Sequence, residues 1–366
     1  MNTQPAIKKE TKNKIRVEFD RTPLKERLKA RFLNLPFYTN IVWYLFRFVI
    51  LLGVSYIVLY PFFTKIAASF MSPDDFIDVT VRLIPKYPSL DQYKAIFLEN
   101  KYLAAFFNTL MLSLISAILQ TFVACLVGYG LAKFKFKGNS LVMGAVILTM
   151  VVPHGTVYLS MFMKFRYFDI FDLFGIFKGI GFTGLYDGIV DIGKWIGSLF
   201  TGVPYTNVVN SIQLTQTFWP MVLLSITGLA FKNGLYIFMM RQFFRGVPDE
   251  LEESAYIDGS DTFRTFLQII IPLSVPMMIT IFLFSFSWQW TDEFYTNMFI
   301  STNKIVLMPK IVGIPKSLET NYAGQELYYS AINNTCGLMI IMPLVILYLF
   351  CQRYLVQGIE RSGIVG

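Results

Sequence analysis

The sequence is short of charge. Asp, Glu, Lys and Arg make up 15% of its 366 residues, where soluble domains carry roughly 25%. It has one histidine, His154, and three cysteines, Cys125, Cys336 and Cys351, far apart in apolar runs. That leaves no disulfide framework, no zinc-type ligand spacing and almost nothing for histidine-based acid–base chemistry, so no metal or other cofactor is expected. There is no Gly-x-x-x-x-Gly-Lys followed by Ser or Thr, so the chain lacks a phosphate-cradling loop for ATP. No short apolar core lies close to residue 1, so a cleavable signal peptide is not expected.

What fills the space is apolar. Hydrophobic residues make up 54% of the chain and aromatic ones 17%, and the mean hydropathy is +0.52. A helix crosses the hydrocarbon core with about 20 apolar residues, and six would use about 120. The chain is therefore expected to be an all-α polytopic membrane protein with six transmembrane helices, near 42–64, 106–131, 141–163, 218–240, 273–293 and 331–351. The net charge of +8 does not point to nucleic acid, because ten of the 32 basic residues crowd into residues 1–40, beside the first span. With the amino terminus inside, the inner connections hold 18 Lys and Arg and the longer outer ones 12. That bias places both termini in the cytoplasm.

The expected organisation follows. A basic tail (1–40) leads into the first span (41–68), then an extracytoplasmic segment (69–104), a transmembrane core (105–352) and a cytoplasmic tail (353–366). Within the core, Leu185, Ile189, Ile192, Ile196 and Leu199 follow helical spacing, which predicts an amphipathic surface helix near 185–200.

The most informative stretch is Gly246–Pro276, cytoplasmic by the charge count. Pro248 suits a first helical position, and Asp249, Glu250, Glu252 and Glu253 would face the positive end of the helix dipole. Gly259 permits a tight turn, and Thr262–Ile271 leads into the next span. The product is a helix–turn–helix under the membrane, suited to docking in a groove of a cytoplasmic partner.

Its spacing resembles the loop of the membrane subunits of bacterial binding-protein-dependent ABC importers, which reads Glu-Ala-Ala, three residues, Gly, nine residues, Ile-x-Leu-Pro. Here the positions are Glu253, Ser254, Ala255, Gly259, Ile269, Ile271 and Pro272, with Ser254 for Ala and Ile271 for Leu. The stretches 238–259, 286–294 and 352–366 extend the likeness over about residues 65–366, to the second permease subunit of maltose-type importers. The departure is about 40 extra residues around 174–213. The resemblance implies a type I ABC importer permease fold in the bacterial plasma membrane. Glu253, Ser254, Ala255, Asp258 and Gly259, with Pro272 at the following span, would couple to an ATPase in a loop spanning 244–272. Partners would be a second permease subunit, two ATPase subunits that bind the ATP, an extracytoplasmic solute-binding protein and membrane lipid. The cargo would be a sugar or oligosaccharide, or alternatively a non-sugar solute such as a polyol phosphate or peptide.

Candidate path residues come from intramembrane polar groups, which are costly in hydrocarbon. Thr109, Ser113, Ser116 and Gln120 recur at 4-3-4 spacing, as either a sugar-binding stripe or a helix contact. Pro153-His154-Gly155 interrupts the third span, and a broken helix can present backbone groups to cargo. Trp288, Gln289, Trp290 and Asp292, near the outer end of the fifth span, combine ring faces with polar groups, as either a sugar-stacking site or interfacial aromatic anchors. An ion-coupled transporter is disfavoured because no Asp or Glu lies deep in a span; Arg47 and Lys232 are the charges there. An enzyme is disfavoured because the spans hold no paired carboxylates or nucleophile–base pair.

Overall fold

The computed structural model describes residues 7–10, 14–17, 35–168, 213–301, 304–321 and 325–363. The helix expected near 185–200, and nearly all of the 174–213 insertion, lie outside them. Two compact units divide the chain, residues 1–65 and 66–366. In the first, strands β1 (Ile7–Glu10) and β2 (Lys14–Val17) pair antiparallel, the one pair of strands among the described residues. Helix α1 (Leu35–Ser69) follows, several residues longer at its start than the expected span. Its apolar side chains from Val42 to Phe63 are exposed, as lipid contact requires, and Arg47 rests over the Trp43 ring at 5.0 Å.

The second unit holds short helices α2 (Pro73–Ile77) and α3 (Asp91–Glu99), then the long α4 (Tyr102–Lys133). Next come α5 (Asn139–Val151), a 3-10 turn at His154–Val157 and α6 (Tyr158–Arg166). Beyond the insertion are α7 (Trp219–Ile226), α8 (Asn233–Arg245), α9 (Glu250–Ile257) and α10 (Thr262–Trp290). Helix α11 (Phe294–Phe299) and the long α12 (Gln325–Gly363) complete the unit.

Helix α4 organises the bundle because its two faces differ. Ala105, Leu112, Ala117, Ala124 and Gly128 are small or packed inward, while Leu103, Phe107, Met111, Ile115, Ile118, Phe122 and Leu126 form an exposed apolar stripe at three- and four-residue spacing. The inner face meets α7, α8 and α10. Towards Lys133 the core gathers Tyr129, Tyr236, Met240, Phe244, Phe266 and Ile270. Towards Tyr102, Trp290 packs with Ala105, Phe286 and Met308.

The segment between α1 and α4 is tied down by polar contacts. Buried Asp75 accepts hydrogen bonds from the backbone of Ser72, Lys86 and Tyr87, at 3.1 to 3.3 Å. Gln92 donates to the Met71 carbonyl at 2.9 Å and accepts from Thr335 of α12 at 2.7 Å. Asn100 donates to the carbonyls of Ile311 and Gly313 at 2.8 and 3.0 Å. This fastens the start of α4 to the residues before α12.

The expected count of six spans is not confirmed. Among the described residues four helices, α1, α4, α10 and α12, are long and apolar enough to cross a membrane, and five spans result if the α5–α6 pair counts as one. The third expected span bends by 93° at Val152–Pro153, because the residue before a proline is held extended and proline donates no hydrogen bond. The fourth breaks into α7 and α8 between Thr227 and Lys232. Gly228 and Lys232 there adopt left-handed φ values of 77° and 66°.

Candidate functional site

Two sites stand out, a small cavity between the helices and the loop that carries α9. The cavity is lined by Gln120 of α4, Phe231 from the break before α8, Ser285, Trp288 and Gln289 of α10, and Asp292 and Tyr295 beyond it. Its free space is about 10 Å³, room for roughly one water molecule. The polar groups around it are unevenly satisfied. Gln120 donates to the Ser225 hydroxyl at 3.2 Å, while the buried Ser285 hydroxyl and Asp292 Oδ2 have no hydrogen-bond partner. On the rim Trp288 is 49% exposed and stands 5.5 Å from the Phe231 ring, with the Lys232 ammonium 4.9 Å from Phe231 and 5.2 Å from Trp288. Such a space offers ring faces, amide and hydroxyl donors and acceptors, and two opposite charges.

The broken helices create this geometry. Without the kink at Pro153, His154 would not reach the Tyr295 hydroxyl at 2.8 Å, or lie 4.7 Å from Phe231. Without the left-handed Lys232, Phe231 would continue a helix instead of turning beside Trp288.

The residues singled out from sequence separate into groups. Gln120, Trp288 and Gln289 line the cavity together, and His154 lies behind Phe231 and Tyr295. Trp290 faces the other way: it is fully buried and donates to the Ile340 carbonyl at 2.9 Å. Thr109 is likewise buried and accepts from the Met308 backbone at 2.8 Å, holding the approach to α12. Ser113 and Ser116 are buried with unpartnered hydroxyls and do not line the cavity. Sequence reasoning did not single out Phe231, Ser285 or Tyr295: the chain's turns bring Phe231 and Tyr295 to the cavity, and the packing of α10 on α4 brings Ser285.

At the opposite end of α4 lies the second site. Helix α9 begins at Glu250, two residues past Pro248, so the proline precedes the helix instead of opening it. The Asp249 carboxylate makes no capping bond, because Lys133 of α4 takes it at 2.5 Å. That ammonium, through its hydrogen bond and its charge, holds the Asp249 carboxyl below the ordinary carboxylate range. Glu252 and Ala255 are buried, three apart on one face. Glu253, Ser254 and Asp258 are exposed, with apolar Leu251, Tyr256 and Ile257 beside them, Ile257 being 85% exposed. The helix closes at Gly259, whose φ is 82°. Gly259 N–H donates to Tyr256 at 3.1 Å and Ser260 N–H to Ala255 at 2.9 Å, the paired bonds of a Schellman end. Pro272 is exposed within α10, just after a widened π turn at Phe266–Ile270, where a proline that lacks an N–H leaves the helical ladder open.

The family model described as "Binding-protein-dependent transport system inner membrane component" matches residues 120–361. The inner membrane ABC transporter permease protein YcjP of Escherichia coli is 23% identical over 313 residues, covering 85% of this chain and 92% of that one. The arabinooligosaccharides transport system permease protein AraQ of Bacillus subtilis is also 23% identical, covering 86% and 92%. The galactooligosaccharides permease GanQ of the same species is 23% identical over 88% and 95%. Among solved structures, a chain of a bacterial ABC transporter involved in the import of the acidic polysaccharide alginate superposes with a TM-score of 0.60 at 18% identity, over 86% of this chain and 97% of that one. The chain belongs to the binding-protein-dependent transport system inner membrane components, as a permease subunit of an ABC importer and not an enzyme.

Proposed function

We propose that the chain carries a sugar or oligosaccharide across the bacterial plasma membrane, paired with a second permease subunit and served by a solute-binding protein. Two copies of a cytoplasmic ATPase bind the ATP. The relatives named for arabino- and galactooligosaccharides support the cargo class. The observation that carries the coupling is the division of α9. Its Glu252–Ala255 face is buried in the bundle, while Leu251, Tyr256 and Ile257 stand exposed among acidic residues. A helix with one face fixed and the other, carrying Glu253, Ser254 and Ile257, left exposed is built to be held by another protein. On this reading Glu253, Ser254, Asp258 and Gly259 meet the ATPase, and both termini are cytoplasmic.

Cargo contact falls to the cavity. Sugars present hydroxyls for Gln120, Gln289 and Asp292, and C–H faces that stack on Trp288. The cavity holds about a water's volume in this conformation, so passage requires α4, α8 and α10 to part as the permease alternates between inward- and outward-open forms. The test is ATP-driven uptake of labelled arabino- and galactooligosaccharides into proteoliposomes holding the assembled importer. Trp288→Ala is expected to raise the KM with little loss of stability, since the ring is half exposed. An unchanged KM for every sugar transported would remove Trp288 from the path.

A further inference from the structure

The coupling helix is joined by covalent continuity to α8 before it and α10 after it. It also grips α4, which lies far away in sequence. Lys133, the last residue of α4, has only 8% of its side chain exposed. Its ammonium donates to the Val247 carbonyl at 2.7 Å and to Asp249 at 2.5 Å, and lies 3.5 Å from Glu252. One turn earlier, the buried Tyr129 hydroxyl donates to Glu252 Oε2 at 3.1 Å. The Tyr129 ring packs on Phe244 of α8 at 5.5 Å and on Phe266 of α10 at 4.7 Å. Tyr129 and Lys133 thus touch all three neighbours: the end of α8, the coupling helix and the start of α10.

Helices α4 and α10, and the residue leading into α8, also line the cavity. Gln120 stands thirteen residues up α4 from Lys133, about 20 Å along a rigid helix. Gln289 lies at the far end of α10, and Phe231 two residues before α8 begins. Glu252 cannot sit there alone, because a buried carboxylate without its hydrogen-bond and charge partners is costly. Its pairing with Tyr129 and Lys133 therefore fixes the register between α9 and α4. Glu253, the residue that matches the family spacing, faces outward and makes no such link.

We propose that Tyr129 and Lys133 are positioning residues that clamp the coupling helix to α4, so that ATP-driven movement of α9 reaches Gln120 and the cavity through α4 as well as through α8 and α10. The inference rests on α9 being the ATPase contact. In it, Glu252 is buried against the membrane bundle and Asp249, itself exposed, is tied to it by Lys133, while Glu253 and Ile257 face the partner.

The test uses the assembled importer in proteoliposomes and needs no identified cargo. In a Cys351→Ser background, where the two remaining native cysteines are buried, Trp288→Cys reports opening of the cavity by its labelling rate with a membrane-impermeant maleimide, with and without ATP and vanadate. Tyr129→Phe keeps the ring and removes only the hydroxyl. Lys133→Met with Asp249→Asn and Glu252→Gln removes the whole charge set together, leaving no orphaned ion. The clamp predicts that ATP hydrolysis continues in both while the nucleotide-dependent change in labelling falls, by roughly tenfold in the triple variant. Lys133→Arg should restore much of it. A full labelling response in Tyr129→Phe and in the triple variant overturns the proposal. So does a parallel loss of hydrolysis and response in Tyr129→Phe, which would mark the cluster as support for the ATPase contact alone. A separate variant, Ile257→Glu, tests the underlying reading: if it still retains the ATPase, the contact lies elsewhere, whatever the clamp variants do.

Discussion

Gly128 and Gly130 sit two residues apart in α4, and the packing assigns them opposite sensitivities. A Cβ on Gly128 would stand 2.6 Å from Met240 Cβ and 3.0 Å from the Arg241 backbone nitrogen. Ordinary carbon contacts lie at about 3.5–4.0 Å, so α4 and α8 would have to separate by about 1 Å. The obstacle is a Cβ and a backbone atom, which no rotamer change can move. Overpacking of this kind costs about 1–3 kcal/mol. A Cβ on Gly130 meets nothing within 4 Å, so Gly130→Ala in a helix should gain about 0.5–1 kcal/mol through lower backbone entropy in the unfolded chain. The two alanine variants should therefore differ by about 2 kcal/mol. The assay is heating of the purified chain in mild detergent, followed by a thiol-reactive dye that reports exposure of buried Cys125 and Cys336. Gly128→Ala should unfold at a lower temperature than the unmodified chain and Gly130→Ala at an equal or higher one. Equal shifts in the two variants would refute the α4–α8 packing described here.

Other consequences are more local. Gly259→Val meets no neighbouring atom but forces a β-branched residue to a φ of 82°. It should cost about 1–2 kcal/mol in the loop and weaken retention of the ATPase while sparing the chain's detergent stability, as size-exclusion profiles would show. Trp290→Phe removes the indole donor to the Ile340 carbonyl, for a loss of about 0.5–1.5 kcal/mol by the same thermal assay, with uptake per assembled complex unchanged. The depressed Asp249 carboxyl contributes stability above its unfolded value, near 3.8, that is lost as pH falls through the lower folded value. The Asp249–Lys133 tie should therefore be insensitive to pH around neutrality, and association with the ATPase should show no Asp249-dependent step there when followed by titration of an Asp249→Asn comparison.

The residues told much of this in advance, for identifiable reasons. Helix α9 and its glycine stop were legible because acidic first turns and left-handed glycines are local chemistry, written in consecutive positions. The long uninterrupted spans were legible because hydrocarbon demands an apolar run of fixed length. The break in the third span was legible at Pro153-His154-Gly155, though its sharpness was not; the break in the fourth was not legible, since Gly228 can kink a membrane helix or simply sit within one, and only packing decides. The polar stripe of α4 divided for the same reason: Gln120 faces the break at Phe231, whereas Thr109 is taken by the Met308 backbone. Trp290 and Trp288 are two residues apart on α10, one buried on Ile340 and one on the cavity rim, a difference that aromatic composition does not carry. Glu252 was hidden by its neighbour. Spacing drew the eye to Glu253, while the partners of Glu252, Tyr129 and Lys133, lie more than a hundred residues earlier.

The most direct measurement for the central claim is photo-crosslinking in native membranes, with a benzophenone amino acid at Ile257, the most exposed apolar residue of α9. The account predicts a single major adduct to a separate chain that carries an ATP-binding phosphate loop, formed in the absence of added sugar. Adducts only to lipid, or only to another part of this chain, would contradict the assignment of α9 as the surface on which ATP hydrolysis acts.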